Sequence, residues 1–323
     1  MKKILFATTL NAVLFMQFGC TAVQFPEGKL SVKVVDQSGT AVSNVTAKAY
    51  FYEASSSTRD YVSDSNGVFV VQGRCDRSIG GRVEKNGYYK GGFGYGWGPD
   101  GINKALNRWE PWNPTVTAVM KKIRNPVPMK HLTGWKRPKI PEFGKPIGFD
   151  LEEGDWVFPY GSGIHADFIF TANEIPDVIA GISLHLSFIN EFDGIQEYLF
   201  DPQDHSRFKW PYEAPDGGYT NRWSRYAKKF LATFDYSEFY PGKDYKEMVT
   251  RLEDNLKEDG EVNYIFRVRS VVDEKGNLVR ACYGKIEGEI KVSPNGGLHF
   301  RYWFNPDWTP NLEDDPMKNW ELD

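Results

Sequence analysis

The segment DWVFPYGSGIHADFIF, residues 155–170, sets His165 and Asp167 one residue apart, with Asp155 close by in the chain. On a strand, alternate residues share a face, so His165 and Asp167 would stand roughly 6–7 Å apart at Cα. Such a pair would serve as an acid–base couple or, with a third ligand from a neighbouring strand, hold a metal ion. The histidines, at 131, 165, 185, 205 and 299, form no H-E-x-x-H and no helical i, i+4 pair, and the chain has no C-x-x-C. The reading is therefore no metal and no cofactor, with Asp155, His165 and Asp167 as polar-face candidates and no catalytic residue assigned. Glycoside hydrolysis would need two carboxylates across a gap of about 5–10 Å. Asp155, Asp167, Glu174, Glu191, Asp193 and Glu197 are available, but no motif selects two of them from the 43 acidic residues. Gly161-Ser162-Gly163 lacks the strand-to-helix setting of a nucleophile elbow. The Gly-rich run 91–101 opens no helix that would cradle a phosphate.

That run offers a different chemistry. In KGGFGYGWGPDG (90–101), Gly alternates with aromatic residues, so an extended chain would put Phe93, Tyr95 and Trp97 on one face. Trp109 and Trp112 follow. A row of rings would stack on the flat C–H faces of a sugar. The same row would equally cap a hydrophobic core, with the glycines admitting another backbone. These five aromatics are the candidate ligand-binding residues.

The elements that must position these groups are strands. The chain has 323 residues, enough for two domains, and is 41% hydrophobic, 25% charged and 15% aromatic, with 31 Gly and 19 Pro. This composition points to a loop-rich, mainly β protein. A formal net charge of −4 without a basic run argues against nucleic acid as a partner. Leu30, Val32 and Val34 alternate with polar residues, as do Val45, Ala47, Ala49 and Phe51, and Asp36–Gly39 reads as the turn between the two strands. Asp64–Gly67 is a second such turn, and VVDEKGNLV (271–279) shares V-V-D-x-x-G-x-x-V with VVDQSGTAV (34–42), as convergent hairpin chemistry and not as an internal repeat, since the similarity ends outside these nine residues. Residues 155–170 are expected to fold as a hairpin about Gly161–Gly163. Tyr160, Phe158 and Trp156 would then face Ile164, Ala166 and Phe168. Residues 244–258 read as a helix with Tyr245, Met248, Val249, Leu252 and Leu256 on one face.

The N-terminus reads as an export signal over residues 1–22, with Lys2 and Lys3 before the apolar stretch Ile4–Phe18. Two endings compete. Phe18-Gly19-Cys20 would make Cys20 a lipidated first residue, although Gln17 departs from that pattern; Cys20-Thr21-Ala22 would suit ordinary cleavage. The membrane would be reached only through a lipid anchor at Cys20. Cys75 and Cys282 would remain as a disulfide pair or as two separate thiols.

The segments Gly28–Val42 (G-x-L-x-V-x-V-x-D-x-x-G-x-x-V), Ser63–Phe69 (S-D-x-x-G-x-F) and Val83–Tyr88 (V-x-K-x-G-Y) resemble the carboxypeptidase regulatory-like, transthyretin-like family. The resemblance covers residues 27–122 and implies a small β-sandwich that binds, spaces or supports folding and has no catalytic residues of its own. Residues 123–146, rich in proline, read as a linker. Residues 147–323 read as a second, antiparallel β-rich domain with one packed helix. In that domain GFDLEEGDW (148–156) and PYGSG (159–163) resemble segments of secreted bacterial proteins that have no assigned activity. The expected role is an exported envelope protein that binds, adheres or supports, with carbohydrate or another envelope protein as its partner. It would be periplasmic, anchored to the outer membrane or at the cell surface. The alternative is a glycosidase-type hydrolase with its site in the second domain; the balance leans against an enzyme.

Overall fold

The computed structural model describes residues 25–52, 57–132, 138–202, 204–235, 246–255, 262–315 and 320–321; the expected export signal, including Cys20, lies outside them. Among the described residues the chain is built of strands, without a helix. The first body contains β1 (Glu27–Asp36), β2 (Thr46–Phe51), β3 (Ser57–Val62), β4 (Val68–Arg74), β5 (Ser78–Glu84), β6 (Gly91–Gly96), β7 (Ile102–Asn103), β8 (Arg108–Trp109) and β9 (Thr115–Met120). One sheet runs β4-β1-β8-β7, with β9 parallel to β1, and the other runs β3-β2-β5-β6. The alternating residues of β1 and β2 point inward, so Leu30, Val32, Val34, Ala47, Ala49 and Phe51 are all buried between the sheets.

The turns follow directly from their residues. Asp36, Asp64 and Asp273 each accept, at Oδ1, the backbone N–H groups two and four residues ahead. The glycine three residues on takes φ of 80°, 73° and 78° at Gly39, Gly67 and Gly276, a left-handed conformation that side chains disfavour.

The second body contains β10 (Lys130–Leu132), β11 (Pro146–Asp150), β12 (Asp155–Trp156), β13 (Phe168–Glu174), β14 (Ala180–Ser187), β15 (Gly194–Leu199), β16 (Arg222–Asp235), β17 (Lys246–Asp254), β18 (Val262–Val272), β19 (Leu278–Val292), β20 (Leu298–Asn305) and β21 (Trp320–Glu321). Its sheets run β15-β18-β19-β20-β10-β21 and β12-β11-β13-β14-β16-β17. Rings fill the space between them: Phe168 meets Phe266 edge-on at 5.1 Å, and Phe149 meets Phe300 at 5.6 Å. Each such buried ring contributes about 1.5–3 kcal/mol relative to exposure. The other face of β18 and β19 is also covered. Phe208, Trp210 and Leu312 pack there against Ile265, Ala281 and Tyr283, joined by Tyr89 from the first body. Strand β19 is therefore buried on both faces from Ala281 to Ile286.

Several expectations change. Within the segment read as a helix, Lys246–Asp254 forms β17, paired antiparallel with β16 from Ala227↔Asp254 to Asp235↔Lys246, while Tyr245 and Leu256 lie outside the described residues. The open edge of β16 offers backbone partners along its length, and this outweighs local helix propensity. Met248 and Leu252, expected to pack inward, are 59% and 63% exposed. The hairpin at 155–170 does not form, because β11 lies between its expected halves: Phe149 pairs with both Trp156 and Phe168. Phe158 and Ile164 are consequently exposed. The Pro-rich stretch carries β10, which pairs with β20 and buries Met129 and Leu132. Of the two alternatives for Cys75 and Cys282, the structure has the second: separate buried thiols, one in each core.

Candidate functional site

Four ionisable groups meet where β11, the loop after it and β13 face β18. Asp150 ends β11, Glu152 sits in the turn that follows, and Asp167 directly precedes β13. All three converge on Arg269. This residue occupies the irregularity in the β18–β19 register between Val268 and Val271, with φ of 57°. A bulge bends the strand and re-aims a side chain, and here the guanidinium turns onto the carboxylates. Its Nε and one terminal nitrogen hold Asp167 in a two-point grip at 2.7 and 2.9 Å. The other terminal nitrogen donates to Glu152 at 2.7 Å, and a longer bond of 3.3 Å reaches Asp150. The planar fork of arginine suits this geometry; an ammonium would not span it.

Asp150 has no solvent exposure. Its Oδ2 accepts the N–H groups of Ile164 and His165 at 2.9 and 2.8 Å, and its Oδ1 those of Glu152 and Glu153 at 2.9 and 3.3 Å. Burial pushes its pKa up, but these four N–H donors outweigh burial and hold it below the ordinary carboxylate value. Asp167 behaves oppositely: burial raises its pKa above the ordinary value despite Arg269 and the Leu151 N–H. The phenol of Tyr302, buried beneath, donates to the Leu151 carbonyl at 2.8 Å. The cluster therefore ties the 150–167 loop to the sheet. The oxygens of Asp150 and Asp167 are spent on backbone and guanidinium donors, and the chemistry of the pair is that of a clamp.

The three polar-face candidates do not assemble into one site. Asp155 closes the loop locally by accepting the N–H and hydroxyl of Ser162 at 2.9 and 3.0 Å and the N–H of Trp156 at 2.8 Å. His165 has a half-exposed ring whose Nδ1 is 3.7 Å from Asp150. Asp167 is buried on Arg269. Among the described residues, no group of three or more His, Cys, Asp or Glu is arranged to hold a metal ion. Burial pushes the Cys282 thiol up to about 11, far from a reactive thiolate.

The aromatic row shares one face as its spacing requires, and that face looks into the first core. Phe93, Trp97 and Trp109 are buried, and Trp97 stacks on Trp109 at 6.2 Å while Tyr95 meets Trp97 edge-on at 5.2 Å. The Trp109 indole donates to the Cys75 carbonyl and the Trp97 indole to the Pro111 carbonyl. Trp112 is partly exposed and lies under the cations of Arg108 and Lys29. Across the sheet, Gly81 of β5 makes room for the Phe93 ring, which a Cβ there would meet at 2.3 Å.

The sequence reading missed Arg269. It lies 102 residues from Asp167 and 119 from Asp150, so no local spacing links them. It also missed Lys285 on β19, a fully buried cation.

The sequence matches no family model and no curated protein. Among solved structures, 3-chlorocatechol 1,2-dioxygenase from Rhodococcus opacus 1CP aligns with 31% of this chain and 60% of its own, at 13% identity and TM-score 0.25. The shaft pilin SpaA from Lactobacillus rhamnosus GG aligns over 91% and 96% of the two chains, at 9% identity and TM-score 0.23. BcpA, the major pilin subunit of Bacillus cereus, aligns over 92% and 98%, at 11% identity and TM-score 0.22. Scores this low define no common fold, and no conclusion about this chain rests on them.

Proposed function

We propose that this chain is an exported protein of the cell envelope with a structural or binding role, and that its first body is a carboxypeptidase regulatory-like module carrying the second. The observation that carries the structural reading is the cluster at Arg269, where Asp150 and Asp167 are consumed in holding a loop to a sheet. A hydrolase of the glycosidase type would need two carboxylates open to one cleft. Here Asp155 and Asp167 serve separate structural tasks. The leader-like residues 1–22 support export, and the strand–turn motifs of 28–88 support the module. With three of the five aromatic rings spent in the core, another envelope protein is favoured over a sugar as partner.

Fractionation of cells expressing the full chain tests this reading. The protein is expected in the envelope fraction, shortened by the leader. If Cys20 is the lipidated residue, labelled fatty acid is incorporated and Cys20→Ser abolishes the labelling. A full-length chain confined to the cytoplasm contradicts the proposal.

A further inference from the structure

Lys285 lies on the outer face of β19 and is only 1% exposed. The Phe208 ring centre is 5.0 Å from its Nζ, and those of Trp210 and Trp303 are each 5.7 Å away. The ammonium donates to the Leu312 carbonyl at 2.8 Å and is in direct contact with Asp314 Oδ1. Asp314 is held in place from both sides of the chain. Glu313 accepts the N–H groups of Arg124 and Asn125 at 2.8 and 2.7 Å, and the Tyr89 phenol donates to it and to the Asp314 carbonyl. Leu312 N–H donates to the Tyr212 carbonyl and Asp315 N–H to the Val127 carbonyl. An amine and a carboxyl group are thus fixed against each other in a pocket walled by aromatic rings.

We propose that Lys285 and Asp314 join in an intramolecular amide bond that covalently ties the strap following β20, residues 306–315, to β19. Burial lowers the pKa of Lys285 against the opposing pull of Asp314, which brings the neutral amine within easier reach than on an exposed lysine. Passing its proton to the Asp314 carboxylate turns the ion pair into a neutral amine and a neutral acid, the reactive combination. The Leu312 carbonyl holds one N–H and so directs the nitrogen lone pair to the Asp314 Cγ. Attack forms the C–N bond; the carboxyl hydroxyl takes a proton from the nitrogen, and the C–O bond breaks. The products are one amide and one water, with no oxidant or co-reactant. Fixed proximity supplies the rate that such a condensation lacks in water. This inference is independent of the proposed function, since it holds whatever the protein binds.

Peptide mapping of the full chain, purified and denatured, tests it. Trypsin should fail to cleave at Lys285. The peptides containing Lys285 and Asp314 should be recovered as one branched species, lighter by one water than their sum. Asp314→Ala should give the separate peptides at full mass. Asp314→Asn should restore the branched species at the wild-type mass, because that reaction expels ammonia to give the same amide. The proposal is overturned if wild-type protein gives unlinked peptides with cleavage at Lys285. It is equally overturned if the water is lost at Asp314–Asp315 without a branch. The wild-type result decides even where a variant fails to fold.

Discussion

Arg269, part-buried, and Lys285, fully buried, are cations on the adjacent strands β18 and β19, and their surroundings differ in kind. Arg269 faces three carboxylates and gives each nitrogen an oxygen partner. Lys285 has one carboxylate, one carbonyl and walls of aromatic rings. A guanidinium stays charged in proteins, so its site can only hold; an amine in an apolar setting can lose its proton and react. The same fold thus makes an inert clamp at one cation and a reactive pair at the other.

The largest effect is expected at Arg269. Arg269→Ala leaves Asp150 and Asp167 buried without their cation and should cost about 3–5 kcal/mol in urea unfolding. A loss near zero would break the comparison by showing that the clamp holds nothing. Arg269→Lys keeps the charge but cannot span the carboxylates, so it should forfeit at least one charged hydrogen bond, about 1.5–3 kcal/mol. Full stability in that variant would mean that charge matters and fork geometry does not.

A smaller effect should follow from acid. The pKa of Asp150 is depressed in the folded state, so its stabilisation is present above the ordinary carboxylate value and is lost as pH falls through the folded one. Asp150→Asn should cost about 1–3 kcal/mol at neutral pH and flatten the acid limb of the stability curve. Asp167, with a raised pKa, contributes with the opposite sign: the folded protein takes up its proton first as pH falls, which adds stability. Asp167→Asn should therefore steepen the acid limb. Equal pH profiles for the two variants would contradict the opposed assignments.

How much of this was legible in the sequence depends on how local each feature is. The D-x-x-G turns were readable because the acceptor, the donors and the left-handed glycine all lie within five residues. The alternation of β1 and β2 was readable for the same reason. The segment 155–170 misled because its apolar residues imitate a two-faced hairpin, while its true partner strand precedes it and Asp150 draws the Ile164 and His165 amides elsewhere. β17 misled because its helical spacing is real, but the partner that overrides it is β16. Lys285 sits in a strand that would ordinarily present a lysine to water. Only the loop carrying Phe208 and Trp210, together with the distant strap, turns that face into an interior.

The central claim is that the carboxylates around 150–167 are architectural. Amide hydrogen exchange at Ile164 and His165 tests it most directly. Ile164 is 74% exposed, yet its N–H and that of His165 donate to a carboxylate with no solvent exposure. The account predicts that both amides exchange as slowly as those of β13, and that Arg269→Ala releases them together. Exchange at the rate of free loop amides in the wild-type protein would contradict it.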